Sequence, residues 1–186
     1  MNYADIKYYD IANGPGCRIS IFVSGCEHKC PECFNEEAWD FNYGKPFTYV
    51  ELLKVSDMLR KPEISGLTFL GGEPMHPRNV FGVALMMRSL VPIVKELDKT
   101  IWLYSGYTID ELHARLHDYD TMVEITSATK YILNNIDVLV DGRFDRNLKS
   151  LSLKFRGSSN QRIIDMKKSM LGGYNYIHPY NLEGDN

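Results

Sequence analysis

Short apolar segments, each followed by a glycine-containing loop, recur along the chain and predict the strands of a sheet. They are bounded by turn residues, which favours short buried strands. The predicted strands cover Arg18–Ser24, Ile64–Leu70, Thr100–Tyr104 and Ile136–Val140. The glycines that follow them place a loop at the end of each predicted strand.

Helical patterns lie between most of these strands. Two capping boxes, in which a threonine precedes a glutamate by three residues, predict helices that begin after Thr48 and Thr108. A longer helix is predicted over Asn79–Leu97, where Pro92 is expected to end or kink it. A further helix is predicted over Thr121–Asn134.

The repeated order of strand, glycine loop and helix predicts an α/β fold with a parallel sheet whose functional loops share one edge. A full eight-fold βα barrel needs about 250 residues, whereas this chain has 186. We therefore expect a partial, open βα barrel in a single domain spanning residues 1–186. Leu151–Asp165 is expected to add a terminal β-segment, and the tail from Leu171 to Asn186 is expected to be less well ordered.

Composition and charge narrow the function classes. Hydrophobic residues form 44% of the chain and charged residues 24%, as in ordinary globular proteins. The net charge of −3 gives no electrostatic reason to expect nucleic acid or an anionic membrane as a partner. No apolar stretch approaches the ~20 residues that span a bilayer, and the first residues do not resemble a secretory leader. We therefore expect a cytoplasmic protein, whose clustered thiols bind metal more often than they form disulfides.

Three cysteines within eight residues, Cys26, Cys30 and Cys33, give the strongest chemical signal. They follow a predicted strand, at the end where α/β folds place ligands. One interpretation is a structural zinc site completed by Cys17, although such sites usually consist of two separated Cys-x2-Cys pairs. The compact spacing favours an iron–sulfur cluster, because such clusters take thiolates from short cysteine-rich loops. Three thiolates would leave one iron open to an exogenous ligand.

Cys17 lies at the start of the strand whose far end carries the other three cysteines. About seven residues at ~3.3 Å each separate it from them, a distance of about 20 Å. We therefore expect Cys17 to be a small buried residue, or a free thiol near a partner surface, and not a ligand of the cluster.

Several segments together resemble a known family. The Cys-x3-Cys-x2-Cys motif, followed about forty residues later by a strand ending in Gly-Gly-Glu-Pro, resembles the radical S-adenosylmethionine (SAM) superfamily. More narrowly, residues 1–164 resemble the activating proteins of the anaerobic ribonucleoside-triphosphate reductase. The segments that carry this narrower resemblance are Asn13–Gly16, Phe22–Cys26, Ile101–Tyr107, Asp137–Gly142 and Phe155–Arg162.

The resemblance implies a role for each matching position. The three cysteines of the motif would each bind one iron of a [4Fe-4S] cluster, and the fourth iron would take the amino and carboxylate groups of SAM. Gly71, Gly72 and Glu73 would form the loop that binds the SAM amino group, to which a carboxylate or a main-chain carbonyl is suited. Without the resemblance, this segment is an ordinary strand-to-helix turn.

Four further positions are implied on the adenosyl side of SAM. Backbone atoms of Glu32, Cys33 and Phe34 would contact the adenine. Because Glu32 stands where the family commonly has glycine, this contact is expected through the backbone and not through the side chain. Ser105 would bind the ribose, or else serve ordinary turn chemistry.

The function implied by the resemblance is that of a radical SAM activase. A flavodoxin or similar donor would reduce the cluster, and SAM would split into methionine and a 5′-deoxyadenosyl radical. That radical would remove a Cα hydrogen from a glycine near the C-terminus of the large reductase subunit. Two alternatives remain: activation of another glycyl-radical enzyme, such as a formate lyase, and a non-catalytic zinc-binding module.

Overall fold

The computed structural model describes residues 1–171 and 177–182. Its strands are β1 (Asn2–Asp10), β2 (Cys17–Val23), β3 (Lys45–Pro46), β4 (Ile64–Gly71), β5 (Thr100–Ser105), β6 (Val138–Asp141) and β7 (Arg162–Asp165). Its α-helices are α1 (Tyr49–Leu59), α2 (Pro77–Glu96), α3 (Ile109–Leu116), α4 (Val123–Leu133) and α5 (Met166–Leu171). Short 3₁₀ helices cover Glu36–Trp39 and Arg146–Leu148. The tail from Leu171 to Asn186 was expected to be less well ordered. Most of it, residues 172–176 and 183–186, lies outside the described residues.

The seven strands form one mixed sheet in the order β3-β1-β2-β4-β5-β6-β7. The four predicted strands are confirmed as β2, β4, β5 and β6, and each pairs in parallel with the next. The outer strands β1, β3 and β7 pair antiparallel with their neighbours. Because the four central strands run the same way, the loops that follow them lie along one edge of the sheet. The fold is therefore α/β, with an open sheet.

The two faces of the sheet bury different groups of side chains. On β5, Ile101 and Leu103 belong to the large core formed with the helices. Trp102 points to the opposite face, where it forms a smaller core with Val138, Val140 and other residues of β6 and β7. This division follows from the alternation of side chains along a strand. The second face is the one that carries Tyr104 and a cavity of about 570 Å³.

A fully buried arginine closes the second face at the end opposite the cysteines. Arg18 is 0% exposed, and its guanidinium makes five hydrogen bonds, with Thr68 Oγ1, Thr100 Oγ1 and three main-chain carbonyl oxygens. Its charged group also stacks near the Trp102 ring. Burial lowers the pKa of Arg18 to about 10, so the side chain stays charged at neutral pH. These contacts join the middle of β4, at Leu67 and Thr68, to the starts of β2 and β5.

The predicted helices are present, and both capping boxes are confirmed at Thr48 and Thr108. Of the two effects expected of Pro92, an end to the helix is wrong, because α2 continues to Glu96. The ring of Pro92 is exposed, while Val91 and Val94 are buried on the core side. Burial of that apolar stripe offsets the lost backbone hydrogen bond. None of the helices within the described residues is long and apolar enough to cross a membrane.

Two strands and one α-helix were not predicted, and neither were the two 3₁₀ helices. β1 is half-exposed along its length, and it is held by backbone pairing with β2 more than by an apolar face. The two-residue strand β3 and the short helix α5 are too brief for a periodic signal. The terminal β-segment expected within Leu151–Asp165 is confirmed only as β7, the last four residues of that range.

Candidate active site

The cysteine loop begins where β2 ends. Gly25 has a φ of +98°, a conformation that favours glycine, and it turns the chain toward Cys26. Cys26 is buried, Cys30 and Cys33 are partly exposed, and all four cysteines of the chain are free thiols. The loop therefore presents one buried and two partly exposed cysteines beside the edge of the sheet.

Backbone amides point at the sulfur atoms of the loop. The N–H groups of His28 and Lys29 lie against the Cys26 sulfur, and the N–H of Asn35 donates to Cys33 Sγ over 3.4 Å. Burial raises the pKa of Cys26 to about 11 in the metal-free chain. A bound metal would favour the thiolate, and amide donors to sulfur are a known means of tuning iron–sulfur clusters.

A cavity of about 570 Å³ opens at this edge. The predicted site residues that line it are Cys26, Cys30, Cys33, Phe34, Gly71, Gly72, Glu73 and Ser105. Glu32 is not among the lining residues. Its side chain is exposed and lies 3.8 Å from Arg146. The structure thus brings eight of the nine predicted positions around one space.

Glu73 is almost fully buried, and its carboxylate is surrounded by donors. Oε1 accepts hydrogen bonds from Met75 N and Ser105 Oγ, each 2.8 Å long. Oε2 accepts one from Gly106 N at 2.6 Å and lies 3.0 Å from His28 Nε2. A carboxylate has about four acceptor positions. The carboxylate is therefore occupied by the protein itself, and Ser105 uses its hydroxyl here.

Two glutamate–histidine pairs join the cysteine loop to the Gly-Gly-Glu-Pro loop. His28 of the cysteine loop meets Glu73, and Glu27 of the same loop lies 3.2 Å from His76. The Nδ1 atom of His76 accepts from Arg78 N, so its Nε2 carries the proton and donates to Glu27. Each of the two loops thus supplies one glutamate and one histidine to these contacts.

Asn79 on α2 ties the bases of the same loops together. It is 2% exposed, and its Nδ2 donates to the carbonyl oxygens of Ser24, Gly25 and Glu73 at 2.9, 3.2 and 3.0 Å. Sequence reasoning missed Asn79 and His76. The available signal was their position directly after a glycine-rich loop, with His76 at the N-cap of α2 and Asn79 in its first turn.

Two glycines allow these segments to approach closely. A Cβ on Gly72 would lie 2.6 Å from Gly25 O and 3.0 Å from Ala38 O. A Cβ on Gly106 would overlap the His28 ring. The His28 ring also packs edge-on against Tyr107, with centroids 4.5 Å apart. Side chains larger than hydrogen would therefore separate the cysteine loop from both neighbouring loops.

Phe34 forms the accessible wall of the cavity. It is 65% exposed, packs edge-on against Phe144 at 5.5 Å, and lies beneath Lys149 Nζ at 5.0 Å. Glu32 adopts a left-handed conformation with a φ of +59°, which is uncommon for a residue other than glycine. This conformation explains physically why glycine would suit that position.

The donor set fits an iron–sulfur cluster. Within residues 1–171 and 177–182, no three His, Cys, Asp or Glu side chains are spaced to hold a single metal ion. In a cubane each thiolate binds a different iron, so the three sulfur atoms need only face a common space. Cys26, Cys30 and Cys33 do so. Cys17 begins β2 at the opposite end of the strand and does not line the cavity.

Known proteins are similar in sequence to this chain over most of its length. The family described as "4Fe-4S single cluster domain" matches residues 12–164. The anaerobic ribonucleoside-triphosphate reductase-activating protein of Escherichia coli K12 is 39% identical over 163 residues, covering 87% of this chain and 96% of the relative. The proteins of the same name from Pasteurella multocida and phage T4 are 40% and 36% identical, each covering 88% of this chain and 96% and 93% of the relative.

The matched region runs from before β2 to the middle of β7 and so contains all three clustered cysteines, the Gly-Gly-Glu-Pro loop and the strands that position them. The identity is well above 30%, and it extends over nearly the whole length of each relative. The chain therefore belongs to the family of anaerobic ribonucleoside-triphosphate reductase-activating proteins.

Proposed function

We propose that this protein activates an anaerobic ribonucleoside-triphosphate reductase by generating a glycyl radical on it. One observation carries the proposal: Cys26, Cys30 and Cys33 line the same cavity as the Gly-Gly-Glu-Pro loop, in a chain 39% identical to a named activating protein. The three cysteines would hold a [4Fe-4S] cluster, and the remaining cavity would hold SAM. When bound, these groups supply one-electron cleavage of SAM and removal of a hydrogen atom from a glycine residue.

The Gly-Gly-Glu-Pro loop would hold the amino group of SAM through its main chain. The Glu73 carboxylate already accepts its full complement of hydrogen bonds from the protein. This leaves the carbonyl groups of Gly71 and Gly72 as the acceptors suited to an ammonium group. Glu73 would instead hold the loop in place, as a positioning residue.

We also propose that the sheet is a partial, open βα barrel with the cavity on its inner face. Four parallel strands, helices on one face and a cavity on the other are features that such a barrel would share. The open sheet leaves room for a protein segment to enter beside Phe34 and Leu151, which are 65% and 93% exposed. The substrate of the proposed reaction is such a segment.

A one-electron donor of the flavodoxin type would reduce the cluster. The outer side of the cysteine loop is accessible, since Glu27, Lys29 and Glu32 are exposed. A donor could therefore approach from outside while the reductase occupies the cavity mouth.

The proposed function is tested by incubating the reconstituted protein anaerobically with SAM, a reductant and the large reductase subunit of the same organism. We expect a glycyl-radical signal by electron paramagnetic resonance (EPR), confined to the reductase. The same mixture with a formate lyase should give no such signal. A signal on the lyase and none on the reductase would reassign the partner.

A further inference from the structure

We propose that His28 is a positioning residue, which holds the Gly-Gly-Glu-Pro loop in register with the cysteines that would bind the cluster. Its imidazole would fix the distance between the cysteine loop and the main-chain carbonyls that would accept the SAM amino group. This inference rests on the proposed function, because it concerns how the two groups of that function are aligned. His28 itself lines the cavity that contains the clustered cysteines.

The His28 ring is held by two neighbouring loops. Its Nε2 atom lies 3.0 Å from Glu73 Oε2, and the ring packs edge-on against Tyr107 with the centroids 4.5 Å apart. A Cβ on Gly106 would overlap the ring, so the backbone there lies directly against it. A carboxylate only accepts hydrogen bonds, so His28 Nε2 is the donor. Only 9% of the His28 side chain is exposed, and its surroundings therefore fix its orientation.

His28 lies midway between two of the proposed cluster ligands. It is two residues from Cys26 and two residues from Cys30, and its backbone N–H lies against the Cys26 sulfur. Across the hydrogen bond, Glu73 directly follows the two glycines whose carbonyls would accept the SAM amino group. One side-chain contact therefore joins the two binding loops within two residues of the groups that each loop would present.

The second glutamate–histidine pair holds the two loops less firmly. The side chain of Glu27 is 65% exposed, whereas that of Glu73 is 1% exposed. Solvent screens an exposed pair, which then contributes little. A hydrogen bond to a buried carboxylate is stronger, and removing its donor leaves a buried acceptor unsatisfied. Loss of the His28 imidazole should therefore destabilise the observed arrangement of the two loops more than loss of the Glu27 carboxylate.

The relative position of these loops matters for the proposed reaction. Both loops must present their ligands at a fixed separation, because a displacement of about 1 Å between reacting groups can cost about 100-fold in rate. If the two loops adopted the observed arrangement for only part of the time, the apparent affinity for SAM would fall by that fraction. His28 would therefore influence SAM binding through Glu73, with no need to contact SAM itself.

The test compares His28→Phe and His28→Gln with the unaltered protein. Phenylalanine keeps an aromatic ring against Tyr107 but cannot donate to Glu73, whereas the amide of glutamine can donate from a similar position. His117→Phe is the matched control, because His117 is exposed just after α3 and is not among the residues that line the cavity.

One measurement is made without the cluster and one with it. In the metal-free protein, the backbone amides of Gly72 and Glu73 donate to the carbonyls of Val23 and Gly25, so their hydrogen exchange reports whether the loops stay together. In protein reconstituted with iron and sulfide without oxygen, the SAM concentration that half-saturates the change in the cluster EPR signal reports SAM affinity. Iron content is measured on the same samples.

We expect His28→Phe to keep its iron while the exchange of these two amides becomes about tenfold faster, the effect of one lost hydrogen bond to a buried carboxylate. Its SAM affinity should weaken by about the same factor. His28→Gln should return both quantities to within about threefold of the unaltered protein, because it restores the donor. His117→Phe should leave both unchanged.

Four results would overturn the proposal. Loss of iron from His28→Phe would show that the imidazole serves only the cysteine loop. Unchanged SAM affinity would show that the contact with Glu73 does not align the loops for SAM, and weakened affinity without faster exchange would assign His28 to SAM directly. Failure of His28→Gln to recover would show that the donor is not what matters. Absence of any SAM-dependent EPR change in the unaltered protein would instead refute the proposed function, on which this inference rests.

Discussion

At the scale of single residues, the site depends on three clustered cysteines and on the buried carboxylate of Glu73. Cys26, Cys30 and Cys33 were identifiable from their spacing, and the structure places them around one cavity. The environment of Glu73 was not identifiable, because its four donors come from three separate segments of the chain. Spacing along a sequence carries local information, whereas hydrogen bonds between distant loops depend on the fold.

Replacing Cys30 with alanine should abolish SAM cleavage, because two thiolates cannot hold the cluster in its reactive arrangement. Cys17→Ala is the matched control and should retain iron content and 5′-deoxyadenosine formation, since Cys17 lies at the far end of β2. Iron analysis and product chromatography on both variants check this. Loss of the cluster in Cys17→Ala would show that the strand-length argument is wrong.

Replacing Glu73 with glutamine should destabilise the protein by about 1–3 kcal/mol, because the amide NH₂ would face buried N–H donors. The free energy of unfolding is measured by urea denaturation of the metal-free protein. Glu124→Gln, at an exposed helix position, should change it by less than about 0.5 kcal/mol. Equal effects in the two variants would contradict the assigned role of Glu73.

At the scale of elements, local signals predicted the central strands and the helix starts, and they failed where tertiary contacts decide the outcome. The capping boxes at Thr48 and Thr108 are side-chain to backbone interactions within four residues, so the sequence encodes them directly. β1 depends on backbone pairing with β2, and the passage of α2 through Pro92 depends on core burial of its flanks. Neither leaves a local pattern.

The first turn of α2 holds the two site loops together through Asn79. Asn79→Asp should destabilise the metal-free protein by about 2–3 kcal/mol, because a carboxylate would face three carbonyl oxygens. Asn79→Ala removes the donors without adding repulsion and should have the smaller effect. Urea denaturation measures both. If aspartate were tolerated as well as asparagine, the hydrogen bonds to Ser24, Gly25 and Glu73 could not be what joins the loops.

For the whole molecule, the sequence predicted an α/β fold with its functional loops on one edge, and the structure confirms that arrangement. It did not predict how the second face is filled. The sequence pattern places Arg18 in a predicted strand and gives no sign of its role. In the structure it is the buried cation that joins three strands at the end of β2 opposite the cysteines. The partial barrel stays a proposal, since an open sheet with β3 and β7 at its edges is what the structure describes.

Stability of the whole molecule should fall in acid. Burial raises the pKa of Glu111 and Asp165, but hydrogen bonds from Arg143 and from the Lys168 backbone outweigh it, and both pKa values are lowered overall. Carboxyls with a depressed folded-state pKa contribute stability above their unfolded values, near pH 4, and lose it as the pH falls through the folded values. The urea midpoint should therefore decrease from pH 5 to pH 3. A constant midpoint would contradict this, and Glu111→Gln should reduce the dependence.

The most direct measurement is an anaerobic one on the unaltered protein. The chain is reconstituted with iron and sulfide, reduced with dithionite and mixed with SAM, while the EPR spectrum and 5′-deoxyadenosine are followed together. We expect a [4Fe-4S]⁺ signal that changes when SAM is added, with 5′-deoxyadenosine formed in the same sample. Bound zinc, with no cluster signal and no 5′-deoxyadenosine, would contradict the proposed function and show a structural metal site.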